Sequence, residues 1–111
     1  MVVKEEREFF PTGDIAWEVV EGIEQRVLSI DNADGTLTRL ARWPAGTTSG
    51  VDVIQHDYVE EVYLFEGELT DLTLEQTFHP GDYACRPPGM PHGPYTTVNG
   101  CLMLEIRYSA R

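Results

Sequence analysis

The chain has 111 residues, enough to close one hydrophobic core and too few for two. Its 19 acidic side chains against 8 basic ones give a formal net charge of −11, which repels nucleic-acid phosphates and anionic bilayers. The acids are spread along the chain, so they act as a solvated surface and not as a recognition patch.

The first ten residues, MVVKEEREFF, mix charges into their only apolar stretch. That composition makes neither a signal-peptide core nor a membrane span, and a cytoplasmic protein is expected. Residues 1–20 are expected to form a terminal strand or a loose arm. Over residues 18–43 short β-prone runs alternate with the turn clusters Asn32-Ala33-Asp34-Gly35 and Pro44-Ala45-Gly46, which predicts strand, turn, strand. Residues 61–74 have their only breaker at Gly67, between Glu66 and Glu68, as in a tight hairpin. Within that run residues 62–65 are apolar on both alternating faces, which implies cover on both sides, by the N-terminal segment or by a second subunit in a homodimer. Pro80-Gly81-Asp82 makes another turn, Tyr83–Arg86 a strand, and residues 87–94 a rigid loop whose prolines fix φ around His92. Cys101–Tyr108 is the last strand. No amphipathic helix of three turns is present, so the fold class is all-β, a sandwich or barrel. Cys85 and Cys101 are expected to be reduced, buried core residues.

The chain has three histidines, His56, His79 and His92. His56 and Glu60 flank a loop-to-strand junction, and His92 follows the proline-rich loop, so these three could converge. Imidazole and carboxylate together suit divalent iron, manganese, nickel or zinc, and two histidines with one carboxylate leave coordination positions open. His79, beside Pro80-Gly81, is left out of the site. Four arginines, Arg39, Arg42, Arg86 and Arg107, would bind a carboxylate or phosphate if they faced inward. Most of them are expected on outer strand faces, balancing the acidic surface.

The spacing of Gly81, Pro87, Gly89 and His92 resembles the second conserved motif of the cupin superfamily, with Thr96 standing where the family closes on Asn. His56, Glu60 and Gly67 resemble the first motif, and the spacing to Gly67 selects Glu60 over Glu61. That motif usually has a second histidine two residues earlier, where this chain has Ile54. An alternative alignment sets His56 first and Tyr58 second at the cost of a two-residue deletion. In the ungapped version Ile54 shares a strand face with His56 and lines the pocket. The resemblance covers residues 27–108, the expected barrel, and is nearest to anti-sigma-factor cupins and to small acetylacetone or dihydroxyacetophenone dioxygenases.

This resemblance implies a single-domain cupin over residues 1–111, a jelly-roll barrel or double-stranded β-helix, with one divalent ion on His56, Glu60 and His92. It further implies a small-molecule substrate and metal-dependent, dioxygenase-like chemistry on a carbonyl compound. Glu60, Tyr58 and Glu61 are then the candidate proton donors or acceptors. A non-catalytic metal or ligand sensor, and a cupin isomerase or lyase acting on oxygenated acids, are the alternatives.

Overall fold

Turns cut the described residues into nine short strands: β1 Glu18–Val20, β2 Ile23–Asp31, β3 Thr36–Trp43, β4 Val59–Gly67, β5 Leu69–Asp71, β6 Gln76–Phe78, β7 Tyr83–Arg86, β8 Tyr95–Thr96 and β9 Cys101–Tyr108. The computed structural model describes residues 3–110. Helical structure among them is confined to one 3-10 turn, Thr12–Asp14, and no helix is long and apolar enough to cross a membrane. Six antiparallel strands in the order β1-β2-β3-β9-β4-β7 face a smaller sheet, β6-β5-β8. Isolated bridges pair Thr48 with Thr96 of β8, and Ile54 with His92. The result is a two-layer, jelly-roll sandwich.

The expected hairpin at Gly67 is a corner instead. β4 and β5 belong to different sheets, and the chain crosses between them at Gly67. A Cβ there would overlap the Gly100 carbonyl oxygen, and φ is +81°, so glycine is required by close approach as well as by conformation. The actual hairpin, β5 to β6, turns through residues 72–75, which contain no glycine. Asp71 Oδ1 holds it by accepting the backbone N–H groups of Thr73 (2.9 Å) and Leu74 (3.0 Å), while Glu75 takes φ +54°.

Residues 3–11 form no strand. Lys4 Nζ donates to Thr38 Oγ1 on the outer face of β3, and Phe9 is fully exposed. The Trp17 ring is clasped by the guanidinium groups of Arg26 and Arg42, each 4.1 Å from it. None of this covers β4, whose outward Tyr63 and Phe65 stay 42% and 43% exposed. Among the described residues nothing therefore covers the outer face of residues 62–65. Cys101 is buried, and burial pushes its thiol up to about 12. Cys85 is exposed, contrary to expectation, because its parity turns it outward.

The same parity divides the interior into two ends. Val62, Leu64, Leu69, Tyr95, Cys101 and Met103 make the buried core, flanked by Trp43, Ile54, Phe78 and Ala84. Each such aliphatic side chain contributes roughly 1.5–3 kcal/mol on burial. One or two inward positions further along the same strands, the residues are charged: Arg39 on β3, Glu60 on β4, Arg86 on β7, and Glu105 and Arg107 on β9. Apolar packing closes one end of the sandwich, and a charged cavity occupies the other.

Candidate metal centre

Strand register sets the charged groups side by side. Glu60 lies directly opposite Arg107 on β9 and Arg86 on β7, and Glu105 lies opposite Arg39 on β3. Arg86 Nη1 donates to Glu60 Oε1 at 2.7 Å and Arg107 Nε to Glu60 Oε2 at 3.3 Å. Arg39 donates through Nε and Nη2 to Glu105 Oε1 at 3.2 and 2.9 Å. Three of the four arginines therefore face inward, because each shares the parity of a buried acid. Only Arg42 points outward, where it pairs with Glu24 at 2.8 Å.

Two segments distant in sequence bring in the histidines. The proline-rich loop is zipped to the chain ahead of β4 by main-chain bonds: Ile54 N–H to His92 O (2.7 Å), His92 N–H to Ile54 O (3.0 Å) and Gly89 N–H to His56 O (2.9 Å). Gln55 Nε2 adds a bond to Gly89 O at 3.1 Å. Prolines restrict the loop, but this backbone pairing places it. Ile54 thus lines the cavity and also registers His92.

The imidazoles meet with their Nε2 atoms 3.1 Å apart. His56 Nδ1 lies 3.1 Å from the Tyr58 carbonyl, an acceptor only, so Nδ1 carries the proton and Nε2 of the neutral ring presents a lone pair. His92 Nδ1 lies 3.1 Å from Tyr95 Oη, which also accepts Arg86 Nη2–H at 2.8 Å. Burial, then the Arg86 charge, holds His92 down at about 4, so its ring is neutral at pH 7. Burial alone would raise the Glu60 carboxyl, but Arg86, Arg107 and His56 outweigh it and hold it below the usual range.

Ligand atoms of His56, Glu60 and His92 lie within 4.8 Å of one another, and His56 Nε2 is 3.7 Å from Glu60 Oε1. The donor set fits a divalent ion: two imidazoles oriented by oxygen partners on their Nδ1 atoms, and one carboxylate held below the usual range. Glu60 fits with a reservation of chemistry, since both its oxygens already accept from arginines and only their remaining lone pairs are open to a metal.

The other expected residues are distributed differently. Tyr58 lines the cavity, its ring stacked on His56 at 4.0 Å, and burial raises its phenol. Glu61 lies on the outer face, where Tyr83 Oη donates to it at 2.5 Å, so it does not meet the cavity groups. Its parity is opposite to that of Glu60, which excludes the inward role. His79 is exposed. Sequence reasoning missed Tyr95, and it did not place Arg39, Arg86, Glu105 and Arg107 in the cavity. Once Val62 and Met103 are known to point inward, period-two counting along β4 and β9 finds the two acids and Arg107.

The family model described as the ChrR cupin-like domain matches residues 5–108. The chain belongs to the ChrR-like cupin family. Among curated proteins none matches it. This cupin is similar in structure to an RmlC-like cupin from Shewanella frigidimarina NCIMB 400, at 18% identity and a TM-score of 0.74 over 97% of this chain and 95% of that one. It is similar to an acetylacetone dioxygenase from Acinetobacter johnsonii, at 18% identity and a TM-score of 0.69 over 92% and 72%. It is also similar to a chain in the complex of Rhodobacter sphaeroides SigE with the anti-sigma ChrR, at 23% identity and a TM-score of 0.66 over 86% of this chain and 50% of that one. Such identities show a shared fold.

Ile54 and His92 are bridge partners and both line the cavity, so their side chains point to the same side. Ile54→His would therefore set a third imidazole beside His92, and if the cluster holds a metal, zinc affinity is expected to rise by at least the ~10-fold that an outer-shell partner is worth. Competition with a chromophoric chelator measures it, and an unchanged affinity would show that position 54 does not reach the ion.

Proposed function

We propose that this cupin is a metal-dependent enzyme acting on a small molecule, with one divalent ion (iron, manganese, nickel or zinc) on His56, Glu60 and His92. Oxygenase-type chemistry on a carbonyl compound is the leading reaction. The observation that carries this reading is the convergence of two imidazole Nε2 atoms, each with its Nδ1 already partnered, on a cavity of about 440 Å³. A bound ion would supply Lewis-acid polarisation of a carbonyl or enolate oxygen and, if it is iron, dioxygen chemistry.

The protein's own groups have distinct parts in this proposal. Arg86 and Arg107 keep Glu60 ionised, which suits a ligand better than a proton acceptor. Tyr58, its phenol raised by burial, would donate a hydrogen bond to a substrate oxygen and would not act as a base. Ile54, Val62, Leu69 and Met103 give the cavity an apolar wall that excludes water. Anaerobic iron loading followed by oxygen-uptake assays on diketones, hydroxyacetophenones and small oxo acids tests the oxygenase reading. Absence of uptake by fully loaded protein would sink it.

Likeness to a chain in the SigE–ChrR complex favours a second reading, a metal or ligand sensor without catalysis. Pull-down from the native host with and without chelator separates the two, since a partner retained only with metal supports the sensor. Three inward arginines favour a third reading, an isomerase or lyase acting on an oxygenated acid. A homodimer is proposed as well, covering the exposed Tyr63, Phe65 and Tyr83 of the outer face. Sedimentation equilibrium checks it, and a monomer at micromolar concentration would exclude it.

A further inference from the structure

The charges around the cavity do not balance. Glu60 and Glu105 are the buried carboxylates on its wall, and Arg39, Arg86 and Arg107 stand against them. Asp71, also buried, is turned away behind His92, where the backbone N–H groups of Thr73, Leu74 and Gly93 take up its oxygens. Glu21 lines only the rim and is exposed to water. Counted on the arginines and glutamates alone the wall holds cations in excess of anions, and a divalent ion on the histidines would add to that excess. Uncompensated charge in a desolvated site is costly, so electrostatics favour an anion in this cavity.

The three arginines differ in what they have left to offer. Arg39 is tied at Nε and Nη2 to Glu105 and at Nη1 to Gln25 Oε1, the last at 2.7 Å. Arg86 is tied at Nη1 to Glu60 and at Nη2 to Tyr95, at 2.7 and 2.8 Å. Arg107 makes only two long bonds, 3.3 Å to Glu60 and 3.5 Å to Glu105 Oε1, and among the described residues its Nη1 has no partner. Its side chain, 27% exposed, is the most accessible of the three. A guanidinium presents its N–H groups in a fork that matches the two oxygens of a carboxylate.

We propose that the cavity takes a small oxo or hydroxy acid and that Arg107 anchors its carboxylate. Arg107 and His56 lie beside the same residue, Glu60, at its two oxygens: Arg107 Nε 3.3 Å from Oε2 and His56 Nε2 3.7 Å from Oε1. An acid held on Arg107 therefore places an oxygen a few bonds away beside the imidazoles. A neutral diketone of the same size would leave the excess charge unanswered. The proposal deepens the enzyme reading and rests on it for the histidine end of the site only; the anchor itself stands without a metal.

Acetoacetate and pentane-2,4-dione make a matched pair of probes, alike in size and in their β-dicarbonyl unit and different in the carboxylate. Calorimetric titration of the full chain with each, in zinc-loaded and metal-stripped form, is expected to give at least ~10-fold tighter binding of the acid, the worth of a hydrogen-bonded charge pair. In Arg107→Gln the ratio of the two affinities is expected to collapse towards one, and in Arg107→Lys to recover in part. Circular dichroism on both variants guards against loss of the fold. Equal affinities in the wild type, an unchanged ratio in Arg107→Gln, or failure of the acid to bind at millimolar concentration would overturn the anchor. Zinc stoichiometry, measured separately, judges the metal reading: a wild type that binds no zinc but still prefers the acid removes the metal and keeps the anchor.

Discussion

His56→Ala and His92→Ala are each expected to lose stoichiometric metal, with zinc affinity lowered by more than the ~100-fold that bounds the effect of an outer-shell partner. Each ring presents its Nε2 to the other at 3.1 Å, with its Nδ1 beside an oxygen, so both Nε2 atoms would face one ion. The fold should persist in both variants. His92 is registered through its backbone on Ile54, and His56 through its carbonyl on Gly89, and neither contact uses the imidazole. Elemental analysis and chelator competition on wild type and variants read the outcome, with melting of the metal-free proteins as control. Equal metal content in all three would remove the centre.

Glu60→Ala is expected to act on the fold as well as on the metal. It leaves two guanidinium groups without their carboxylate, and the side chains of Glu60 and Arg86 are only 8% and 10% exposed, so water does little to rescue that pair. Removing one partner of a buried ion pair costs about 3–5 kcal/mol, and about 3 is expected here because Arg107 is more accessible and keeps Glu105. Urea unfolding in the presence of chelator measures this without any contribution from bound metal. Glu60→Gln, which keeps an oxygen for Arg86, should lose less. A metal-free Glu60→Ala protein as stable as wild type would mean that the arginines do not depend on Glu60, and its main role would then be that of a ligand. Loss of metal in Glu60→Ala alone therefore says little about ligation; the comparison with His92→Ala decides it.

Much of the architecture was legible because local chemistry carries it. Asn32 to Gly35 joins β2 to β3 where turn residues cluster, and the strands Tyr83–Arg86 and Cys101–Tyr108 lie between turn residues at their observed limits. The hairpin at residues 72–75 escaped notice because Asp71 holds the turn without a glycine. The corner at Gly67 passed for a hairpin because a glycine between two strands has the same appearance whether the strands pair or part.

By itself the sequence determined an all-β chain and three residues of the right type, His56, Glu60 and His92, at spacings that resemble a known pair of motifs. Only the tertiary structure decided what surrounds them. Whether Arg86 or Arg107 faces inward depends on which strands lie beside β4 and in what register, and one residue of slip would turn each to the opposite face. His92 and its neighbour Tyr95 come to His56 because the proline-rich loop is paired to Ile54, in a segment more than thirty residues earlier in the chain. Such long-range pairing leaves no local trace. That is why Ile54, conspicuous in the sequence as a missing ligand, acquires its second role, holding His92 in place, only in the folded chain.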